Sequence, residues 1–147
     1  MTTYTIAYSI PTNIATALST ELNSLANGAY SAVSAAIDNT TLRHLYMALE
    51  LNLASLTPTA GGYIGVHLLP SVDASTYPDG GGAVAPSAGS LLCVMDLSTS
   101  AGAKIRTRAG LVIPPYLFKL VLLNAAGAAL AASANTLKYQ MYSEQSA

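Results

Sequence analysis

The sequence predicts a mainly β protein, a single antiparallel β-sandwich of jelly-roll-like type with one short N-terminal helix. Three observations lead to this prediction. Apolar and polar residues alternate over many short segments, turn-forming residues separate these segments at fairly regular spacing, and only one stretch has helical periodicity. A chain of 147 residues is one domain's worth and can bury a sizeable core without disulfides or metal.

An extended segment opens the chain. Tyr4, Ile6 and Tyr8 fall on one face of this segment, and Pro11 ends it. Because the segment precedes the predicted sandwich, we expect it to form an N-terminal arm that is suited to contacts with a neighbouring chain.

One stretch has the periodicity of a helix. Its apolar residues recur at spacings of four, four and three, which places them on one helical face. They are Ile14, Leu18, Leu22 and Leu25. Gly28 stands where a residue of left-handed conformation ends many helices. The pattern predicts a helix over about 14–26.

The clearest strand lies over residues 45–53, where every odd position is Leu or Met and the even positions are mostly polar or small. Such alternation is typical of a strand with one face in a core. Further strands are predicted over residues 29–37, 63–69, 90–97, 104–113 (with a bulge at Gly110), 116–123, 128–133 and 136–142. Because Ala and Leu are common and suit helices better than strands, an α+β arrangement is the alternative.

Two irregular regions complete the chain. Residues 71–88 are rich in Gly and Pro and cannot form a central strand; loops of this length are usually functional or mobile. The polar residues 143–147 predict a flexible tail. We therefore expect an arm at 1–13, the sandwich at 14–142 and a tail at 143–147.

The composition limits the function classes. Only 9% of the residues are charged, against about 25% in an average soluble domain, so either neighbouring chains cover much of the surface or Ser, Thr, Asn and Gly make it up. A net charge of −1 argues against nucleic acid as the main partner. Lys104, Arg106 and Arg108 would share one strand face, where we expect solvent or a salt bridge to a partner rather than phosphate. No apolar run reaches the roughly 20 residues that a membrane span needs.

No constellation of catalytic or metal-binding residues stands out. His44 and His67 lie beside apolar neighbours without the three or four ligands that a metal site needs. Asp73 and Asp79 share a glycine-rich loop that lacks the alternating acidic ligands of a calcium loop. Cys93, the single cysteine, lies in an apolar run and predicts a buried, inert thiol. We expect neither an enzyme nor a cofactor nor a metal.

Nine tyrosines and no tryptophan favour a protein interface, because a Tyr ring packs while its hydroxyl finds a partner. The candidate interface residues are Tyr4, Ile6, Tyr8, Tyr77, Asp79 and Tyr116. Tyr77 beside Asp79 is also the best candidate for carbohydrate binding.

Several segments resemble a family of small virion structural proteins of tailed bacteriophages. They are TELNSLANG at 20–28, LNLASLTPTAG at 51–61, YPDG at 77–80, PPYLFK at 114–119 and LNAAGAALAAS at 123–133. Some similar β-sandwich proteins decorate, or cement, capsids. The resemblance implies a component of the virion, assembled in the host cytoplasm, and transfers no catalytic residue.

The function expected from this resemblance is that of a capsid decoration protein. Its partners would be the major capsid protein and itself, as a homotrimer, with neither nucleic acid nor membrane involved. The alternatives are a tail, adaptor or baseplate component of the same particle, and a carbohydrate-binding adhesion module.

Overall fold

A computed structural model describes residues 6–146, which contain ten strands and two short 3-10 helices, Thr20–Leu22 and Ala88–Ser90. The strands are β1 (Ile6–Tyr8), β2 (Ala15–Leu18), β3 (Ile37–Asp38), β4 (Tyr46–Leu56), β5 (Tyr63–Ser71), β6 (Leu91–Asp96), β7 (Gly102–Val112), β8 (Leu117–Ala125), β9 (Thr136–Tyr142) and β10 (Glu144–Ser146). None of the helices in residues 6–146 has the length and apolar character needed to cross a membrane.

Two four-stranded antiparallel sheets form the sandwich. The first sheet has the order β2-β9-β4-β7 and the second has the order β3-β8-β5-β6. β1 and β10 form a separate two-stranded ribbon. The prediction of a mainly β, two-sheet antiparallel protein is confirmed.

The core lies between the sheets and is built from alternate residues of their central strands. In β4 the odd residues 47–53 are buried and the even residues are half-buried, as their alternation predicts. The second sheet contributes Ile64, Val66 and Leu68 from β5 and Phe118, Leu120 and Leu122 from β8.

The second sheet also has its outer face covered by the protein's own chain. Leu69 and Val121 are buried although they lie outside the main core cluster. The 72–90 loop folds over them: a Cβ placed on Gly80 would lie 3.2 Å from Leu69, and Pro86 is buried. Tyr30 covers the same face by packing edge-on against His67, with the ring centroids 5.8 Å apart.

Serine hydroxyls attach the segment 28–36 to strand β8. Ser31 Oγ accepts the Leu122 N–H at 3.0 Å, and Ser34 Oγ accepts the Leu120 N–H at 2.9 Å. The backbone N–H groups of both serines donate to the carbonyls of the same two β8 residues. The predicted strand over 29–37 is therefore an irregular edge, and only Ile37–Asp38 is regular strand.

The predicted helix over 14–26 is wrong. The segment instead forms β2, which pairs with β9, followed by the 3-10 turn Thr20–Leu22. Pairing with β2 satisfies backbone groups of β9 that would otherwise lie at an open edge. Ser24 then adopts a left-handed φ of 55°, which is incompatible with a continuing helix. Leu18 and Leu22 are buried as the helix pattern predicted, whereas Ile14 is 68% exposed.

The predicted strand over 128–133 is also wrong, because the segment is an irregular connection held by backbone bonds to Ser24 and Leu25 and by two buried asparagine side chains. The Asn124 amide donates to Leu25 O and Ala128 O, and the Asn135 amide donates to Ala131 O. These bonds satisfy the backbone of an irregular connection between β8 and β9.

The residues expected to form a free tail include β10, which pairs with β1 of the expected arm. Ala7 lies opposite Gln145 and Tyr8 opposite Glu144. The two terminal segments thus satisfy each other's backbone groups, a pairing that residue pattern alone did not indicate.

Candidate functional site

Strand ends from both sheets meet at one end of the sandwich. In the first sheet Tyr46, where β4 begins, lies opposite both Val112 and Tyr142, where β7 and β9 end. Only residues 113–116 separate β7 from β8, so β8 begins at the same end, opposite Ser71 where β5 ends. The β1–β10 ribbon adjoins this end, because one residue separates β9 from β10.

Among the residues that the structure describes, this end carries most of the large apolar side chains that remain exposed. We call it the apolar end and define it by Tyr8, Ile10, Leu42, Leu45, Val72, Val112 and Tyr116. Ile10, Val112 and Leu42 are 92%, 72% and 67% exposed. Large contiguous apolar patches on soluble proteins usually mark interaction sites. The apolar end is therefore the candidate interaction surface.

A tyrosine cluster fixes the arm to this end. The ring centroids of Tyr8 and Tyr142 are 5.6 Å apart in an edge-on arrangement, and Tyr46 lies 5.6 Å from Tyr142 on another side. The Tyr142 hydroxyl accepts the N–H of Gly110 at 2.8 Å. Gly110 has a φ of 70° beside the register shift between Met47 and Leu49, so the predicted bulge is present.

A groove of about 340 Å³ lies beside the cluster, between Ile10 and Leu42. At its base Ser143 Oγ accepts the Leu45 N–H at 3.1 Å and lies 3.4 Å from Nδ1 of the buried His44. His44 Nε2 is buried and has no hydrogen-bond partner among the described residues. Apart from Ile10 and Leu42, the groove is lined by the polar residues Ser9, His44 and Ser143.

Asn39 positions the loop that presents Leu42 and Leu45. Its side chain accepts the His44 N–H at 2.8 Å and donates to His44 O and Pro114 O, each at 2.9 Å. Sequence reasoning did not single out Asn39. An asparagine a few residues before a clearly predicted strand is the signal that could have indicated this role.

The candidate interface residues are only partly brought together. Tyr8 and Tyr116 lie at the apolar end. Ile6 begins β1, and Tyr4 lies outside the described residues. Tyr77 and the exposed Asp79 belong instead to the loop that covers the second sheet.

The Tyr77 ring is a poor platform for a sugar. The ring is half-buried, and Lys119 Nζ lies 4.2 Å from its centroid. This cation–π contact occupies one of the two faces on which a sugar ring would stack.

The carboxylates of the loops bond their own backbone. Asp73 accepts N–H groups from Thr76 at 2.7 Å and Ser75 at 2.9 Å. These bonds hold its pKa far below the usual value, mainly through the Thr76 and Ser75 backbone groups. Bonds from Thr40 likewise lower the pKa of Asp38. Within residues 6–146 no three His, Cys, Asp or Glu side chains are grouped closely enough to hold a metal ion.

The remaining titratable groups of interest are buried singly. Desolvation lowers the pKa of His67, whose Nδ1 lies 3.0 Å from Ser90 Oγ in a hydrogen bond. Desolvation also raises the pKa of the Cys93 thiol to about 11, although the charge of Arg108 acts in the opposite direction. A thiol with such a pKa is protonated at neutral pH and unreactive.

Lys104, Arg106 and Arg108 share one face of β7, and it is the inner face, because they lie opposite Leu53, Leu51 and Leu49 of β4. We call this row of three cations the charged edge. The buried Lys104 donates through Nζ to the carbonyl and hydroxyl oxygens of Ser100.

Arg106 joins the two sheets at this edge. Its Nε donates to Asp96 O of β6 at 2.8 Å, and its Nη1 donates to Ile105 O of β7 at 2.9 Å. The guanidinium therefore closes the open side of the sandwich between two edge strands.

Comparison with known proteins identifies no family. No protein-family model matches the chain, and no curated protein matches it. Among solved structures, the N-terminal cellulose-binding domain of Cellulomonas fimi β-1,4-glucanase C shares 13% identity over 84% of this chain and 74% of that one, with a TM-score of 0.27.

Two further structures are similar at the same low level. One is described as "CBM4 structure and function", with 10% identity over 83% of this chain and 80% of that one and a TM-score of 0.27. The other is Desmodium yellow mottle tymovirus, with 12% identity over 100% of this chain and 90% of that one and a TM-score of 0.31. Scores of this size carry no argument about fold or function.

Proposed function

We propose that this chain is a structural component of a bacteriophage particle, a decoration protein that binds the lattice of the major capsid protein through its apolar end. The observation that carries the proposal is the grouping of seven large exposed apolar side chains at one end of a chain with only 9% charged residues. Such a surface is unfavourable in a free protein and becomes favourable once a neighbour covers it.

Weak individual contacts suffice for this role. Burial of apolar area contributes roughly 25 cal/mol per Å² before the costs of association. A capsid lattice repeats the same binding site many times, so an oligomer that engages several sites binds far more tightly than one copy does. We propose that the protein forms a homotrimer and is located in the virion. Light scattering of the purified protein tests the trimer directly.

The strand order supports a role in a particle. Apart from the β5–β6 pair, each connection from β2 to β9 passes from one sheet to the other, which is the order of an eight-stranded jelly roll. This architecture occurs in viral capsid and lectin domains, among others. Since a fold alone does not define a function, the weight of the proposal rests on the apolar end and on the resemblance to small virion proteins of tailed phages.

The experiment is a binding assay with emptied phage capsids that lack their decoration protein. The test variant is Val112→Glu, and the matched control is Ile105→Glu, because both residues are exposed, apolar and β-branched and both lie on β7. Val112 belongs to the apolar end, whereas Ile105 lies opposite Asn52, away from it.

We expect co-sedimentation of the unmodified protein and of the control variant, and at least about a tenfold loss of binding for Val112→Glu, because a desolvated, unpaired charge at an interface costs several kcal/mol. Equal binding by the two variants would remove the apolar end from the contact. Binding to isolated tails and not to capsids would replace the decoration role with that of a tail or adaptor component.

A further inference from the structure

We propose that the charged edge of β7 pairs with an extended, acidic segment of a partner chain, which adds to the first sheet as a fifth strand. This surface is distinct from the apolar end, and the inference holds whether or not the chain binds a capsid. It rests on the backbone groups that β7 leaves unpaired and on the cations that lie beside them.

The backbone of β7 has an open side. Within the described residues β7 pairs only with β4. The Ile113 N–H donates to Leu45 O, so the odd residues of β4 face β7. The β7 residues opposite Leu49 and Leu51, namely Arg108 and Arg106, therefore direct their backbone groups toward β4. Thr107, which lies between them, directs its N–H and C=O outward, where an added strand would form its hydrogen bonds. The outward carbonyl of Ile105 already accepts a hydrogen bond from Arg106 Nη1, so Thr107 supplies the free donor and acceptor.

The charge at this edge is concentrated and lacks carboxylate partners. Three of the six Lys and Arg residues of the chain stand at alternate positions over five residues. Glu50–Lys138, on another part of the first sheet, is the one ion pair among the described residues. Lys104 and Arg106 already donate to protein oxygens, whereas Arg108 is exposed. Carboxylates opposite Arg106 and Arg108 on an added strand would complete this edge.

The geometry favours a peptide over a nucleic acid. The cations point to the inner side of the sheet, and Lys104 is buried, so they do not form the broad exposed field that a phosphate backbone requires. Inward-pointing charges on an edge strand also prevent pairing with apolar strands. A peptide strand whose carboxylates lie opposite these cations needs no broad exposed field and is not apolar. Opposite charges directly across a strand pair also attract.

The test uses three end-blocked peptides of about nine residues, a length close to that of β7. The first alternates Thr and Glu, the second alternates Thr and Gln, and the third alternates Thr and Lys. Affinity is measured by fluorescence anisotropy, and amide hydrogen exchange is followed by NMR on the unmodified protein. A single-stranded oligonucleotide of similar charge provides the comparison with phosphate.

We expect the Glu peptide to bind on the order of tenfold more tightly than the Gln peptide, since two opposite-charge pairs contribute about two- to fivefold each, and we expect no binding of the Lys peptide. Exchange of the Thr107 amide should slow in the complex, while that of the Arg106 amide, already directed to β4, should not change. Arg108→Gln should weaken binding by about two- to fivefold, and the control Arg43→Gln, at an exposed arginine in the β3–β4 loop, should not.

Three results would overturn the inference: equal affinity for the Glu and Gln peptides, unchanged exchange at Thr107 with bound peptide, or tighter binding of the oligonucleotide than of the Glu peptide. Failure of the Glu peptide to bind at all would assign the charged edge solely to the prevention of unwanted strand pairing. Because the exchange measurement uses the unmodified protein, none of these results depends on whether a variant folds.

Discussion

The two sheets of this sandwich differ in whether the chain covers their outer faces. The second sheet is covered on its outer face by Tyr30 and the 72–90 loop, and the outer residues of β5 from Gly65 to Leu69 are buried there. The first sheet leaves its outer face open, so that the even residues of β4 from Tyr46 to Ala54 are only half-buried. One sheet is thus packed on both sides by its own chain, and the other is packed on one side.

This difference follows from the residues at the outer positions of each sheet and from the length of the connection between β5 and β6. The outer positions of β5 and β8 hold His67, Leu69 and Val121, which a long connection can cover. The outer positions of β4 hold Glu50 and Asn52, which need no cover. The outer face of the second sheet is therefore occupied by the chain itself, whereas the outer face of the first sheet is open.

The largest expected effect concerns Leu69, which is 1% exposed on the covered outer face. If the cover is a true second core layer, Leu69→Ala should lower the free energy of unfolding by about 2–5 kcal/mol, as at a core position. Ile105→Ala, at an exposed site on the first sheet, should cost no more than about 1 kcal/mol. Urea unfolding measures both values, and equal small effects would show that the 72–90 loop does not pack on the sheet.

The second prediction concerns the hydroxyl that attaches the segment 28–36. Ser34→Ala removes the acceptor of the Leu120 N–H and leaves a buried donor without a partner, so it should cost about 1–3 kcal/mol. The control Ser75→Ala, at an exposed loop position, should change stability by no more than about 0.5 kcal/mol. A neutral Ser34→Ala in urea unfolding would indicate that water or a backbone shift replaces the hydroxyl.

Sequence reasoning predicted some features of the fold and missed the hydrogen bonds of these serines. The strand over 45–53 was predictable because period-two alternation of Leu and Met depends only on local geometry. The bulge at Gly110 was predictable from a glycine within a strand pattern. The hydrogen bonds of Ser31 and Ser34 were not predictable, because their partners in β8 lie 91 and 86 positions further along the chain.

The wrong predictions also result from contacts between residues that are distant along the chain. Ile14, Leu18 and Leu22 fit a helix by spacing, but the open edge of β9 offered the segment a strand partner instead. Residues 128–133 fit a strand by composition, but their backbone bonds the distant residues Ser24 and Leu25 and the side chains of Asn124 and Asn135 instead. The apolar end could be predicted only through Tyr8 and Tyr116, because the meeting of loops at one end depends on topology that the local pattern does not contain.

The third prediction concerns pH and the covered face. Burial lowers the pKa of His67 in the folded protein from 6.5, so the folded state disfavours the proton that the unfolded chain takes up. The contribution of neutral His67 to stability is therefore complete above pH 6.5 and decreases as the pH falls from 6.5 toward the folded-state pKa. Because His67 lies under Tyr30 and beside Ser90, acid should loosen the cover of the second sheet.

The measurement is the difference in unfolding free energy between the unmodified protein and His67→Gln at about pH 7.5 and about pH 5. Taking the difference cancels the contributions of the other titratable groups, which both proteins retain. The advantage of the unmodified protein should decrease at the lower pH. A difference that stays constant between the two pH values would show that His67 is protonated as easily in the folded state as in the unfolded chain.

The smallest effect is expected on the open face, at the ion pair between Glu50 and Lys138. Their charged atoms are 3.7 Å apart, and their side chains are 46% and 38% exposed. Exposed pairs of this kind contribute about 0.2–1 kcal/mol, because water screens the charges and ordering two long side chains costs entropy. A double-mutant cycle with Glu50→Gln and Lys138→Gln should give a coupling energy in that range that shrinks further in salt. A coupling energy well above about 1 kcal/mol would mean that something shields this face from water in solution, and a second copy of the chain would be the first occupant to test, because the measurement contains no other protein.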